Sequence, residues 1–278
     1  MNETEANDVL SEFQPAGGLL AELSLLRVEC AGPLFHLRLN RPAKRNAIND
    51  TLVRELQTAF VHLPKQARVV VISGEGAHFS AGLDLSEVTE QDVVEGVFHS
   101  RAWHAAFEQI QYGPVPVIAA LHGAVVGGGL ELAATAHLRV ADQTAFFALP
   151  EGQRGIFVGG SGSVRISRLI GVSRMTDMML TGRVLDATEA EAASLVNYRV
   201  PEGQALAKAL ELAHKVAANA PLSNYAVTQA LPRIAEMAPG DGLFLESLMS
   251  AIAQGDEAAK QRVRDFLAKR AGKVGKAA

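Results

Sequence analysis

Gly123-Ala124-Val125-Val126-Gly127-Gly128-Gly129-Leu130-Glu131-Leu132 runs from an apolar strand into the start of a helix, and its reading decides the fold. Three consecutive glycines are costly inside a regular element. They suit a corner whose backbone N–H groups and positive helix end face an anionic oxygen. Glu131 follows the glycines after one intervening residue, Leu130, and a second acid, Glu151, stands about one supersecondary unit later, behind Pro150. Two carboxylates on glycine- and proline-marked corners are what acid/base chemistry on an activated carbonyl needs. Upstream, Ser80-Ala81-Gly82-Leu83-Asp84 follows the glycine-marked loop Gly74-Glu75-Gly76, where small residues let a ligand approach the main chain. Two such corners would make an oxyanion hole, in which losing one donor typically costs about 10²–10³ in rate. Taken singly, each feature has a plainer reading. Glycines serve tight turns, Glu131 complements a helix N-terminus, and Glu151 is a solvated loop acid.

Outward from this stretch the pattern alternates strands with helices. Runs near 23–29 and 34–40, separated by Gly32-Pro33, read as a hairpin. Asn49-Asp50 offers an N-cap for a helix to about residue 62 with Leu52, Leu56 and Phe60 on one face. Val69-Val70-Val71-Ile72 is an apolar strand of the kind buried on both faces. A helix over 91–111, strands over 117–121, 138–141 and 145–149, and a short helix over 129–134 follow. Helical spacing then covers 173–181, 187–194, 204–218, 222–237, 242–253 and 256–269. The fold class is α/β, with a mobile tail expected over 1–20, a strand-and-helix core over 21–205 and a helical region used for assembly over 206–278.

Composition narrows the function classes. A formal net charge of -4 with 48% hydrophobic residues describes a chain able to bury a large core, without the basic stripe that nucleic-acid binding requires. The polar, acidic first residues show no signal-peptide pattern and no run of about 18 apolar residues appears. A cytoplasmic protein without a membrane partner is therefore expected. One cysteine, Cys30, excludes an internal disulfide framework. The eight histidines show no metal-ligand spacing, so His78, His122 and His137 read as structural or surface residues and no metal site is expected. Gly159-Gly160-Ser161-Gly162-Ser163 matches neither the dinucleotide fingerprint nor the phosphate-binding loop. Trp103 and Phe107, four apart, read as core rather than substrate cage.

Taken together, five segments resemble the enoyl-CoA hydratase/isomerase, or crotonase, superfamily over about residues 23–269. They are Leu39-Asn40-Arg41-Pro42-Ala43-Lys44-Arg45-Asn46-Ala47-Ile48-Asn49, His78-Phe79-Ser80-Ala81-Gly82-Leu83-Asp84-Leu85, the triple-glycine run through Leu132, Leu149-Pro150-Glu151 with the later glycine-rich run, and Phe266-Leu267-Ala268-Lys269-Arg270. The resemblance implies a spiral of ββα units with C-terminal helices that pack homotrimers, often paired into hexamers. It also implies a coenzyme A thioester as substrate, with coenzyme A part of that substrate and no separate cofactor. By motif position, the backbone N–H groups of Leu83 and Gly128 would grip the thioester oxygen, and that of Gly159 would help hold a water. Lys44, Arg45, Ala81 and Lys269 would lie along the coenzyme, and the 91–111 helix would line the acyl pocket.

Members resembling hydratases carry glutamate at both the Glu131 and Glu151 positions. The implied reaction is hydration of a 2-enoyl-CoA to a 3-hydroxyacyl-CoA, with Glu131 activating water and Glu151 delivering a proton to Cα. Enoyl-CoA isomerisation, hydration coupled to retro-aldol cleavage of an aryl enoyl thioester, and non-catalytic acyl-CoA binding are the alternatives. Gln153, Arg154 and Phe157-Val158 depart from the family pattern. An Arg154 pointing inward would hold Glu151 ionised and make it a poorer acid, whereas one pointing outward would not.

Overall fold

The computed structural model describes residues 12–86 and 92–268. Ten strands and eleven α-helices alternate among them, and they form two units that divide between Ala217 and Ala218. The first unit is built on a seven-stranded sheet of order β1-β2-β3-β4-β5-β7-β10: β1 (Gln14–Pro15), β2 (Leu26–Ala31), β3 (Leu34–Leu39), β4 (Val69–Gly74), β5 (Val117–Leu121), β7 (Leu138–Asp142) and β10 (Tyr198–Val200). The hairpin at Gly32-Pro33 makes β2 and β3 antiparallel, and from β3 onward every pairing is parallel. The helices are α1 (Asp50–Val61), α2 (Val93–Gln111), α3 (Gly128–Ala133), α4 (Gly162–Ile170), α5 (Val172–Thr181), α6 (Ala187–Ala192) and α7 (Ala205–Ala217). Asn49 caps α1 by accepting from the Leu52 N–H, and Asp92 with Glu95 forms a capping box on α2.

Alternation along the parallel strands explains why they are apolar throughout. Val70, Ile72, Ala119, Leu121 and Ala141 face the main core, while Val69, Val71, Ile118, Ala120 and Val140 face α7. Because α7 contributes Ala205, Ala209, Leu210 and Ala213 to that second layer, the first unit runs through Ala217, and the expected boundary at 205/206 cuts a helix from its sheet. Of the tail expected over 1–20, residues 1–11 lie outside the described residues, and 12–20 join the fold. Gln14 and Pro15 pair with Cys30 and Glu29, and Phe13, Ala16 and Leu20 are buried. Two paired residues carry no periodicity by which a sequence could announce them.

A smaller sheet sets up the chemistry. β6 (Ala124–Val126), β8 (Phe146–Ala148) and β9 (Leu185–Asp186) lie in the order β6-β8-β9, with β6 and β8 parallel and Val126 opposite Ala148. Both chains therefore leave the sheet at the same end, β6 into Gly127–Glu131 and β8 into Leu149-Pro150-Glu151. Isolated bridges Ser80↔Val125 and Ile48↔Leu83 bring the 80–84 corner to the same place.

The second unit is helical: α8 (Pro221–Tyr225), a π turn over Ala226–Ala230, α9 (Leu231–Ile234), α10 (Pro239–Gly255) and α11 (Glu257–Leu267). Spacing alone predicts one helix over 222–237. Pro232 has no N–H to donate and its ring crowds the carbonyl of the preceding turn, and the widened π turn lies immediately before it.

Two histidines, one fully buried and one partly buried, couple the first unit's stability to pH. His36 is fully buried on β3 with Nε2 2.7 Å from Ser73 Oγ, and burial, then Arg38, drives its pKa down from 6.5 to about 3. His137, which takes the Val117 N–H on Nδ1, is pushed down to about 4, chiefly by burial. Below pH 6.5 the unfolded chain binds protons that these folded-state groups refuse, so their contribution to stability is full above pH 6.5 and falls as pH drops toward 4. Each group can remove roughly 1.4 kcal/mol per pH unit. Between pH 7 and pH 5 the parent protein's denaturant midpoint should move downward relative to that of His36→Gln, which lacks the His36 contribution. An unchanged slope in the variant would show that His36 titrates normally.

Candidate active site

The three corners enclose a cavity of about 600 Å³. Leu83, Gly128, Glu131, Glu151, Gly159 and Gly160 line it, together with Ser100 and Trp103 from α2. Gly82 takes φ +89°, and a Cβ there would lie 2.6 Å from the Val126 carbonyl oxygen and 3.2 Å from the Gly128 nitrogen. Only glycine fits this close approach. A Cβ on Gly128 would lie 3.5 Å from the Leu83 nitrogen, which shows how near the two amides stand. Among the described residues no hydrogen bond occupies the N–H of Leu83, of Gly128 or of Gly159.

Both acids are buried. Glu131, 3% exposed, accepts on one oxygen, Oε1, from the N–H groups of Gly160 (2.9 Å) and Gly162 (2.7 Å). Burial is the largest influence and raises its pKa from 4.5 to about 7. The Gly162 amide opposes the rise, the Glu151 charge adds to it, and Gly160 and Arg165 oppose it. Glu151 is 6% exposed, and its Oε2 is buried with no hydrogen-bond partner among the described residues. Burial likewise raises its pKa; its own backbone N–H and Arg154 pull the other way without reversing the rise. Arg154 is exposed, so the outward alternative holds and Glu151 is free to carry a proton. The site thus offers two unoccupied amides for an anionic oxygen and two carboxyl groups whose proton affinity is raised by burial, an arrangement suited to moving protons around an enolate.

Of the residues expected along a coenzyme, Lys44, Arg45 and Ala81 fall outside this cavity lining. Lys44 is exposed with Nζ 3.2 Å from Ser86 Oγ, and Arg45 is exposed at φ 51°. The Ala81 N–H donates to the Arg45 carbonyl, which ties the two segments together two residues before Leu83. Lys269 lies outside the described residues. Trp103 belongs to both readings that sequence left apart, since it is 4% exposed, packs edge-on to Phe107, and also borders Gly128. Ser100 was not singled out from sequence. Its Oγ donates to the Gly159 carbonyl at 2.6 Å, and its spacing of three from Trp103 on one helix face was the available signal. Among the described residues, no group of three or more His, Cys, Asp and Glu side chains is placed to hold a metal ion. His78 and His122 bond to backbone at Ala124 and Gly76, as structural residues do.

The family model for enoyl-CoA hydratase/isomerase matches residues 30–275. A probable enoyl-CoA hydratase of Rhizobium meliloti is 34% identical over 88% of this chain and 95% of its own. The 2,3-dehydroadipyl-CoA hydratase of Escherichia coli is 36% identical over 84% and 92%. The solved structure of a Rhodopseudomonas palustris protein assigned as an enoyl-CoA hydratase is 57% identical, with a TM-score of 0.87, over 91% of this chain and 98% of that one. With a buried acid pair beside two unoccupied amides, and these likenesses spanning most of its length, the chain belongs to the enoyl-CoA hydratase/isomerase family.

Proposed function

We propose that the chain is an enoyl-CoA hydratase that adds water across the 2,3 double bond of a 2-enoyl-CoA thioester. The observation that carries the reading is that Glu131 and Glu151, both buried and both raised in pKa, line one cavity with the Leu83 and Gly128 amides. Ionised Glu131 takes a proton from water, and the hydroxide equivalent bonds to Cβ as the C=C electron pair moves onto the thioester oxygen. The Leu83 and Gly128 N–H groups stabilise that enolate, and protonated Glu151 delivers a proton to Cα. A proton then passes from Glu131 back to Glu151 to close the cycle. The unoccupied Gly159 N–H holds the attacking water. Carboxyl groups and amides supply every proton and charge movement, so coenzyme A enters only as part of the substrate. Lys44, Arg45, Ala81 and Lys269 are assigned to its binding. Assembly into trimers or hexamers through the second unit is part of the same reading. It is supported by apolar side chains exposed along α10, among them Leu243, Phe244, Leu248 and Ile252.

The test follows loss of enoyl-thioester absorbance, with product mass, for short, long and aryl 2-enoyl-CoA substrates. Addition of one water to any of them supports the proposal. Coenzyme A thioester binding without turnover across the panel moves the reading to an isomerase or a binding protein. Its kcat/KM should rise through an acid limb near pH 7, as Glu131 must lose its proton to act as base, while the burial that raises Glu151 favours the protonated form that donates. The limb belongs to the coupled pair. An acid limb below pH 5.5 would contradict the assignment of base to Glu131.

A further inference from the structure

Between the two glycines that bind Glu131 stands Ser161, a non-glycine residue at φ +87°. This left-handed conformation crowds any side chain with a Cβ, and it persists only where neighbours hold it. A holder is present. Arg165, 8% exposed on the first turn of α4, donates from Nη1 to Ser161 Oγ and from Nε to Gln111 Oε1 at 2.6 Å. Ser161 Oγ in turn contacts the Gly160 carbonyl. Because the backbone turns at Ser161, the amides on either side of it converge on the same carboxylate oxygen, Oε1 of Glu131.

We infer that Arg165, braced by Gln111, is a positioning residue for Glu131: it locks Ser161 in the left-handed turn that keeps the Gly160 and Gly162 amides on Oε1, leaving Oε2 for the attacking water. The inference rests on the hydratase reading for the role of that water, and on the hydrogen bonds alone for the lock. The charges acting on Glu131 are Glu151 from the loop after β8 and Arg165 itself. Glu108 and Tyr112 from the α2 side and Arg168 on α4 act on Arg165. Two routes therefore exist from Arg165 to Glu131, one through the turn and one through charge, and a glycine at position 161 separates them. Glycine adopts the left-handed turn unaided.

Ser161→Ala keeps the buried arginine and the crowded backbone but removes the hydroxyl that Arg165 grips. It should lower kcat about 10-fold with KM within about 2-fold, and move the acid limb of kcat/KM up by about half a pH unit or more. Arg165→Met should do the same. Adding Ser161→Gly to Arg165→Met should return kcat and the limb to within about 3-fold and about 0.2 pH units of the parent protein. If the double variant stays impaired, Arg165 acts through charge and the lock is wrong. If Ser161→Ala leaves both readouts where they were, no lock exists. A ¹³C carboxyl titration of Glu131, assigned with Glu131→Gln, reads the same displacement without substrate. A parent protein that fails to hydrate any thioester while its Glu131 titration responds as described would overturn the proposed function and leave the lock standing.

Discussion

Replacing Glu131 with Gln should lower kcat by about 10²–10⁴ and, in the same protein, raise thermal stability at pH 8. The two effects have one cause. Burial is the main reason the Glu131 carboxyl binds its proton up to about pH 7 instead of 4.5, so the folded state resists the ionisation that the base needs. A group whose folded pKa is raised contributes stability below its unfolded pKa and loses it as pH climbs through the folded one. Here that window runs from about 4.5 to about 7. Linkage turns the displacement into an upper bound of about 3 kcal/mol of stability lost by pH 8. Glutamine is never ionised and keeps an oxygen for the Gly160 and Gly162 amides, so it escapes that loss. Melts of the two proteins should coincide near pH 5 and separate by several degrees at pH 8, with the variant higher. A variant equally stable at both pH values would mean that Glu131 titrates as an ordinary carboxylate and that its burial stores nothing for catalysis.

That coupling of strain to function also explains which parts of the molecule could be read in advance. The catalytic corners were legible because they break local rules in ways a sequence displays: three glycines where a helix should begin, and an acid two residues after the last of them. The hairpin at Gly32-Pro33 and the α1 cap at Asn49 were legible for the same reason, since turn and cap chemistry is local. What could not be read depends on contacts across the chain. The helix Gly162–Ile170 opens Gly-Ser directly behind Gly159-Gly160-Ser161, which hides its apolar face. β1, β6, β9 and β10 have three residues or fewer, too few for any period, and exist only because a neighbouring strand offers its edge. Position 161 is the sharpest case. Serine gives no sign of a left-handed backbone, and the arginine that grips it looks, four residues later, like any helix-surface cation. The outward direction of Arg154 was likewise a matter of packing, and only the fold could decide it.

Gly128→Ala should reduce turnover about 10²–10³-fold while saturated acyl-CoA binding weakens by less than about 10-fold. No positive φ forces glycine here, in contrast to Gly82 and Gly127, so backbone strain is not the reason. The space is. A methyl at this position would stand 2.9 Å from Trp103 Cζ3 and 3.5 Å from the Leu83 nitrogen, in the gap between the two amides. Trp103 is buried among α2 side chains and has little room to retreat, so the methyl is held where the thioester oxygen must sit. The ground-state carbonyl loses little by a small displacement, because its charge is modest. The enolate loses more, since stabilisation by fixed donors grows with the charge that develops on the oxygen and declines steeply with misalignment. The expected signature is therefore a fall in kcat that far exceeds any rise in KM, with circular dichroism unchanged and a melting temperature lowered only by the adjustment around Trp103. Turnover within about 5-fold of the parent protein would mean that the Leu83 and Gly128 amides do not hold the thioester oxygen, and the enolate's charge would have to be met elsewhere in the cavity.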